Sequence, residues 1–590
     1  MPKIEVNEKA FYTLAGRPGG WKSKDEFEEA LTCAKAELDE DSDKNLPPEE
    51  RTLKIELNDT NRPDLWGTAG CARQLKVYSD SKIPMYSFFS REGDLKKASK
   101  KIKVEASVKQ VRPYLTGFVA SGKAITDPML KDMIQTQEKL AWNFGRKRKS
   151  ISMGLYRTAL INWHIIYKGV DPDSVSFTPL QSPAWEGANS PLTLREILKQ
   201  HPKGKEFAFI LENEPVHPLL TDSKGFILSY PPIINSNDLG AVQVGDSEIF
   251  VELTGTDMPS LVLSASIVAC DLADNGFTIE PVEIEYDFDT PFGRKIVTPF
   301  YFQEPVFCSL SRVEKFLGEK LNADECVNAL ARMGVNAEKA EAVERGQEGK
   351  TGVPGVRAFP PPYRNDFLHA ADVVEDIMIG RSLSSFKAER PSDATIGRLL
   401  PITLFSRQVK ELFIGMGYQE MIYNYLGSKK DLVENMRCGG SKTIRIFNPM
   451  TENYEYVRDS IIASLMTSES ISGRSVYPHK IFETGKIAWL DEDENCKSAT
   501  RQFAGFLHAG SDANFNTAAG ELQTLFYYLS CEYEVQESDD PRFIPGRTAA
   551  VIYSGKKIGV FGEIHPEVLE NWGVTVPCTA GEIDLEALTG

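Results

Sequence analysis

Two periods run through this chain, apolar residues three and four apart in some stretches and apolar–polar alternation in others. Together they predict an α+β protein. In residues 24–38, Phe27, Ala30, Leu31, Ala34 and Leu38 fall on one helical face. An acidic, Pro-containing loop over 39–51 separates that helix from a strand at 53–58. The turn Asp59-Thr-Asn-Arg-Pro-Asp-Leu-Trp66 then opens a helix through Cys71 and Leu75. The Lys-rich stretch near residue 100 reads as a linker. Beyond it, Thr126-Asp-Pro-Met129 has the order of cap and proline that starts a helix, with Leu130, Met133, Ile134, Leu140, Ala141 and Phe144 on its buried face. Strands are predicted at 207–211, 226–230 and 248–253, the last running into Thr254-Gly-Thr-Asp257 and a helix over 259–272.

Residues 300–385 read as short helices, at 311–317 and 324–333 with Gly334 as a stop, and a third that starts near Asp372. A Pro-containing linker at 390–401 leads to helices at 404–416 and 518–529 and strands at 420–423, 480–484, 486–490, 549–554 and 557–561. The pattern divides the chain into four segments. Residues 1–95 form a small α+β domain and 104–290 an α+β module built around a sheet. Residues 300–385 form a small helical module, and 395–590 a last domain.

The 590 residues are 41% hydrophobic and 26% charged, the usage of an ordinary globular protein of several domains. A net charge of −17 argues against a protein that coats nucleic acid indiscriminately, and no DNA partner is expected. The basic residues nevertheless cluster. Lys96, Lys97, Lys100, Lys101 and Lys103 form one run, and Arg146, Lys147, Arg148 and Lys149 another. Each is either solvated surface or a set of phosphate contacts. No apolar run approaches twenty residues and no signal peptide opens the chain, so a cytoplasmic protein without a membrane partner is expected. Nine dispersed cysteines suit reduced thiols and argue against disulfides or structural zinc.

The densest chemistry lies in Tyr363-Arg-Asn-Asp-Phe-Leu-His-Ala-Ala-Asp-Val-Val-Glu-Asp376. Asp372, Glu375 and Asp376 share a helical face, and Asp366 can fold back over the same turn. Carboxylates that close repel unless a cation sits among them, and all-oxygen ligands favour magnesium before calcium. The same residues can also cap a helix, with Asp372 as N-cap and Glu375 completing a capping box. Spacing alone leaves both readings open.

The carboxylate segment, Asp59–Trp66 and Tyr230-Pro-Pro-Ile-Ile-Asn-Ser236 together resemble the β subunit of phenylalanyl-tRNA synthetase, in the shorter archaeal and eukaryotic type that some bacteria also carry. Gln135-Thr-Gln-Glu-Lys-Leu140, Phe144-Gly-Arg-Lys-Arg148, Leu253-Thr-Gly-Thr-Asp257 and Gly562-Glu-Ile-His-Pro-Glu567 extend the resemblance over most of the chain, in the family's order. The resemblance implies an editing module, a helical metal-bearing module and a C-terminal domain similar to the antiparallel sheet of a class II synthetase that has lost its catalytic residues. It implies magnesium on Asp366, Asp372, Glu375 and Asp376, with Asp376 where some relatives carry Glu. It implies a catalytic α subunit that binds ATP, an (αβ)2 heterotetramer and tRNA as partners, and phenylalanine–tRNA ligase activity of the complex.

The sequence of the last domain agrees with lost chemistry. Its terminal stretch 581–590 has no basic residue, and Arg458 stands isolated as a phosphate-binding candidate, with a structural role the better reading. Chemistry is expected instead in the second segment. Tyrosine differs from phenylalanine by one hydroxyl, which an apolar pocket rejects only about a hundredfold, so a second, hydrolytic site for tyrosyl-tRNA is useful. By resemblance Asn235, Ser236 and Asp257 line that site, with Leu228 as a wall and Glu252 and Thr254 as weaker candidates. Asp257 before Met258-Pro259 also reads as an N-cap, and Asn235-Ser236 as a turn. The alternative function is a non-catalytic RNA-binding or assembly scaffold that has lost editing.

Overall fold

The strand Glu248–Gly255 is buried along all but its first residue, which is why its apolar run shows no alternation. It pairs antiparallel with Tyr114–Ser121 on one side and Ile151–Arg157 on the other. These belong to a sheet ordered Ile234–Asn235, Ile227–Tyr230, His217–Thr221, Ile165–Val170, Lys101–Val104, Thr278–Tyr286, Tyr114–Ser121, Glu248–Gly255 and Ile151–Arg157, with Lys295–Thr298 added beside Thr278–Tyr286. This is a computed structural model, and it describes residues 2–89, 98–180, 190–240, 242–342, 352–392 and 394–589. The chain divides between Glu389 and Arg390 into two units.

In the first unit the helix Met258–Asp274 packs its Leu261, Ile267 and Leu272 into the core shared with the sheet. Asp257 caps its start and Pro259 occupies its first turn. The same core takes in the N-terminal residues Ile4, Phe11, Leu31 and Ile55, and Val313, Leu330, Val373 and Ile377 further along the chain. A buried guanidinium joins two of these regions: Arg73, on the helix Thr68–Asp80, pairs with Asp271 at 3.0 Å and Asp274 at 2.6 Å. The turn before that helix is held by Arg62, whose Nε and Nη2 each donate to Asp64 at 2.8 Å.

Several elements differ from the periodicity. The helix predicted over 24–38 spans Lys24–Leu31 and, after a short 3-10 turn, the chain enters the strand Ala36–Glu40 with Lys35 in a left-handed conformation between them. The stretch near residue 100 is not wholly linker. Lys101–Val104 is a strand with Ile102 and Val104 buried, and its lysines are committed to acids: Lys100 to Glu280 at 2.6 Å, Lys101 to Glu283 at 3.1 Å and Lys103 to Asp287 at 3.6 Å. Lys96 and Lys97 lie outside the described residues. Residues 207–211 are not a strand. His201 caps and Pro202 starts the helix Pro202–Phe207, and Ala208–Ile210 adds a 3-10 turn. The module at 300–385 is not purely helical. Val306–Ser309, Val353–Phe359 and Asn336–Ala342 form a three-stranded sheet beside the helices Leu310–Leu317, Ala323–Arg332 and Ala370–Arg381.

The second unit is built on a seven-stranded sheet, antiparallel except where Gln419–Glu420 runs parallel to His479–Leu490. Two strands, Ser498–Ala509 and Cys578–Asp584, sit at its centre, and Phe543–Tyr553 and Lys556–Ile564 form a hairpin beside them. Pro401–Gly415 and Phe515–Leu529 pack on this sheet through Phe413, Leu522 and Phe526. Arg458 is fully buried and structural, its guanidinium bonded to Glu483 at 2.6 and 2.9 Å and to the Lys486 carbonyl at 3.0 Å. No helix among the described residues is long and apolar enough to cross a membrane.

Candidate functional site

Midway along Glu248–Gly255, Glu252 faces Gly117 on one neighbouring strand and Gly154 on the other. The missing side chain at Gly154 is what makes room: a Cβ there would overlap Tyr156 Oη and lie 2.8 Å from Glu252 Oε2. Tyr156 Oη donates to Glu252 Oε2 at 2.9 Å and lies 2.8 Å from Ser229 Oγ and 3.4 Å from Asn235 Oδ1. Ser229 and Asn235 come from the strands at the far end of the sheet order, so the sheet curls to bring its two ends together at this hydroxyl.

Between those ends lies a cavity of about 330 Å³, within the range of roughly 300–1,000 Å³ typical of small-molecule sites. Leu130, Ile134, Leu155 and Val242 give it apolar walls, while Gln137, Tyr156, Asn235 and Glu252 supply polar groups. Glu252 is 2% exposed, and its Oε1 has no hydrogen-bond partner among the described residues. Burial pushes its carboxyl up to about 7, against the opposing pull of the Tyr156 hydroxyl, the Arg112 charge and Thr254. A buried acceptor without a partner is costly, and this one belongs to a residue of the cavity wall.

One wall of the cavity is a turn with unusual backbone. Arg146, Lys147 and Arg148 have φ of 51°, 55° and 64°, a left-handed run that costs roughly 1–2 kcal/mol per residue for side chains of this kind. Backbone bonds hold it, from Lys147 N to Trp142 O and from Arg148 N to Ala141 O, both 2.8 Å. So does the buried Arg112, whose Nη1 donates to the Arg148 and Lys149 carbonyls at 3.2 and 3.0 Å. The run turns Arg148 inward. Its Nη1 donates to the Pro232 and Ile233 carbonyls at 3.1 Å each, and its guanidinium lies 4.3 Å from the centre of the Phe207 ring. Arg146 and Lys147 stay exposed.

Of the residues expected to line a hydrolytic pocket, Asn235 does so. Three do not. Leu228 is wholly buried in the core. Ser236 is buried and accepts from Leu239 N at 3.3 Å, closing a turn. Asp257 accepts from Ser260 N at 3.3 Å as the cap of its helix and lines a different groove. Glu252, named from the sequence as a weaker candidate, lines it together with Tyr156 and Gly154, which were not named; Thr254 is not part of the lining. The signal for Glu252 was a single carboxylate inside the apolar run Ile249-Phe-Val-Glu-Leu253.

The four carboxylates read as a magnesium site do not converge. Arg364, itself within the segment, donates to Asp366 at 3.0 and 2.6 Å and to Asp376 at 2.6 and 3.2 Å. Asp372 accepts from the Leu368 and His369 backbone at 2.8 and 2.7 Å, because His369 rather than Asp372 is the N-cap of Ala370–Arg381. Glu375 pairs with Lys35 at 2.8 Å. Among the described residues no three His, Cys, Asp or Glu side chains are grouped to hold a metal ion. Arranged in this way, the residues do not fit magnesium.

Known proteins give the chain its family. The chain is 42% identical to the phenylalanine–tRNA ligase β subunit of Treponema pallidum subsp. pallidum, over 100% of both chains. It is 43% identical to the β subunit of Borrelia duttonii, again over 100% of both. The chain belongs to the phenylalanine–tRNA ligase β-subunit family. Two family models match within it, a tRNA synthetase B5 domain at 306–381 and the phenylalanyl-tRNA synthetase β chain CLM domain at 387–585. A crystal structure of an N-terminal fragment of the phenylalanyl-tRNA synthetase β subunit from Pyrococcus horikoshii is similar with a TM-score of 0.54 and 31% identity, over 64% of this chain and 99% of the fragment. The full-length relatives named here are bacterial, so they lend no support to the archaeal and eukaryotic type expected from the motifs. The B5 match contains the Arg364 cluster, and the Glu252 cavity lies ahead of both matches.

Proposed function

We propose that this chain pairs with a catalytic α subunit in an (αβ)2 phenylalanine–tRNA ligase of the cytoplasm, and that its Glu252 cavity hydrolyses tyrosyl-tRNA made in error. ATP, and the magnesium its transfer needs, belong to the partner subunit in this reading. The last domain contributes a class II-like scaffold without chemistry. The single observation that carries the editing reading is the cavity with apolar walls whose lining includes the buried Glu252, with its Oε1 unpaired among the described residues.

That carboxylate accepts a hydrogen bond from the tyrosyl hydroxyl while Leu130, Ile134 and Leu155 pack the ring. A phenylalanyl group fills the same walls but leaves the buried acceptor unpaired. Sites of that kind discriminate far better than apolar pockets do. Tyr156 fixes the other carboxylate oxygen, and the Ser229 hydroxyl at 2.8 Å fixes Tyr156. Water is the nucleophile in this reading.

The test compares charging of tRNA with phenylalanine by this chain alone, by the α subunit alone and by the co-expressed pair, and then hydrolysis of tyrosyl-tRNA by the pair. Charging only by the pair, with tyrosyl-tRNA hydrolysed well above background, is the expected result. Charging by the pair without hydrolysis would return the chain to a scaffold. Gly154→Ala offers a sharper check, since its Cβ overlaps the Tyr156 hydroxyl. Hydrolysis is expected to fall at least tenfold with phenylalanine charging unchanged.

A further inference from the structure

We propose that a trough in the first unit docks a segment of a partner protein that is basic at one end, apolar in its middle and acidic at the other. The trough runs beside the helices Glu8–Leu14 and Thr68–Asp80 and the first turns of Asp127–Lys139. It consists of two cavities, of about 890 and 440 Å³, whose linings share Asn7, Ala10, Leu14, Pro128, Met129 and Asn275. None of its residues lines the Glu252 cavity.

The two ends carry opposite unpaired charge. In the larger cavity Lys76, Lys82 and Lys123 are exposed and have no carboxylate partner among the described residues, against one unpaired acid, Asp80. The other cations there are taken, Lys9 by Glu49 at 3.2 Å and Arg73 by Asp271 and Asp274. In the smaller cavity Glu5 and Glu50 are exposed, and neither they nor Asp132 have a cation partner among the described residues. Lys131, the cation of that end, is committed to Asp127 at 2.8 Å. Thr68 N and Oγ both donate to Asp132 Oδ1, at 3.1 and 2.6 Å, and leave Oδ2 without a bonded partner among the described residues. Burial raises the pKa of this carboxyl, as it does where no cation offsets the loss of water.

Between these ends the floor is apolar. Leu14 and Met129 pack on the core and, like Ala10 and Pro128, are only half-buried, so each keeps a face toward the trough. An apolar floor with a few charged groups at its margins is the make-up of a binding site, and a methionine adapts its shape to what covers it. The charge pattern selects the occupant. A nucleic acid or an anionic lipid would meet Glu5, Glu50 and Asp132 with charge of the same sign, and a polycation would meet the three lysines in the same way. A polypeptide carries both signs with apolar side chains between them, and its basic end then lies in the smaller cavity and its acidic end in the larger.

The experiment uses the co-purified α–β complex and fluorescein-labelled peptides, followed by anisotropy. Lys-Lys-Leu-Ala-Leu-Glu-Glu has its charges segregated, and Lys-Glu-Leu-Ala-Leu-Lys-Glu has the same composition with its charges mixed. The segregated peptide is expected to bind about tenfold more tightly at low salt, since exposed ion pairs contribute little singly and several are made together. That preference should shrink as salt rises. The double variant Lys76→Glu/Lys123→Glu should erase it, and should bind Lys-Lys-Leu-Ala-Leu-Lys-Lys about tenfold more tightly than wild type does. Met129→Ser should weaken both isomers alike. Unchanged phenylalanine charging reports that the variants are folded. Equal affinity of the two isomers for the wild-type complex overturns the proposal, and so does a segregated peptide that binds the charge-reversed variant as it binds wild type. Loss of the α subunit from the charge-reversed variant overturns it too, by making the trough a subunit interface. Self-association of the wild-type complex in sedimentation, abolished by the same charge reversal, overturns it by making the occupant a second copy of this chain.

Discussion

Glu252→Gln is expected to slow hydrolysis of tyrosyl-tRNA by the α–β pair by roughly 10–100-fold while leaving phenylalanine charging within about twofold of wild type. The size follows from one hydrogen bond to a charged group, roughly 1.5–3 kcal/mol, at about 1.4 kcal/mol per tenfold in rate. Glutamine keeps the shape and a neutral acceptor, so the loss reports the charge rather than a hole. The raised pKa of about 7 adds a pH signature. Only the ionised carboxylate is a full acceptor. The preference for tyrosyl- over phenylalanyl-tRNA, corrected for spontaneous ester hydrolysis, should therefore climb between pH 6 and 8 in wild type and stay flat in the variant. Stability moves the opposite way. A carboxyl whose pKa is raised by folding keeps its proton in the native state while the unfolded chain loses it. Wild-type stability thus falls as pH rises from about 4.5 to about 7, by an amount on the order of 3 kcal/mol. The melting temperature of Glu252→Gln should gain on wild type across that window. A variant that hydrolyses tyrosyl-tRNA as fast as wild type would remove the cavity from the mechanism.

The sequence carried the type of most elements but not the partners that give residues their roles. Strand 248–253 was visible, yet both its faces are buried, so alternation could not say which way Glu252 points. Its neighbours Gly117 and Gly154 are 135 and 98 positions away in the chain, and only strand register brings them opposite. Lys101–Val104 was hidden by its lysines, although Ile102 and Val104 alternate with them as an inward face should. Asn336–Ala342 is an outer strand with no buried residue, and a polar strand carries no hydrophobic period at all. Ser236 and Asp257 show a different failure. The polar side chain and the turn were both legible, and in each the side chain makes the local hydrogen bond that the turn or cap reading implied. In the carboxylate segment, spacing correctly grouped Asp372, Glu375 and Asp376 on one helix, but helical spacing is silent on the cation. That cation is Arg364, two residues before Asp366 and present in the same string.

Arg364→Met should be strongly destabilising, because it strips a buried cation from two carboxylates at once. Arg364 is 2% exposed and Asp376 1%, and removing one partner of a buried pair costs about 3–5 kcal/mol. For Asp366, burial alone would raise the pKa, but the Arg364 charge overrules it and holds the carboxyl down at about 2. A depressed carboxylate contributes stability that is present above its unfolded pKa near 3.8 and is lost as pH falls toward about 2, so the pair holds throughout the physiological range. Methionine fills much of the arginine stem's volume, which separates loss of charge from loss of packing. The triple variant Arg364→Met/Asp366→Asn/Asp376→Asn should recover part of the lost melting temperature, since it removes the uncompensated charges together with their partner. The same logic decides between arginine and a metal. With Arg364 in place, a chelator should leave the melting temperature of the wild-type complex unchanged, whereas millimolar magnesium should partly rescue Arg364→Met by entering between the freed carboxylates. A wild-type melting temperature that drops with chelator and returns with magnesium would put a cation in this cluster and make Arg364 its companion rather than its substitute.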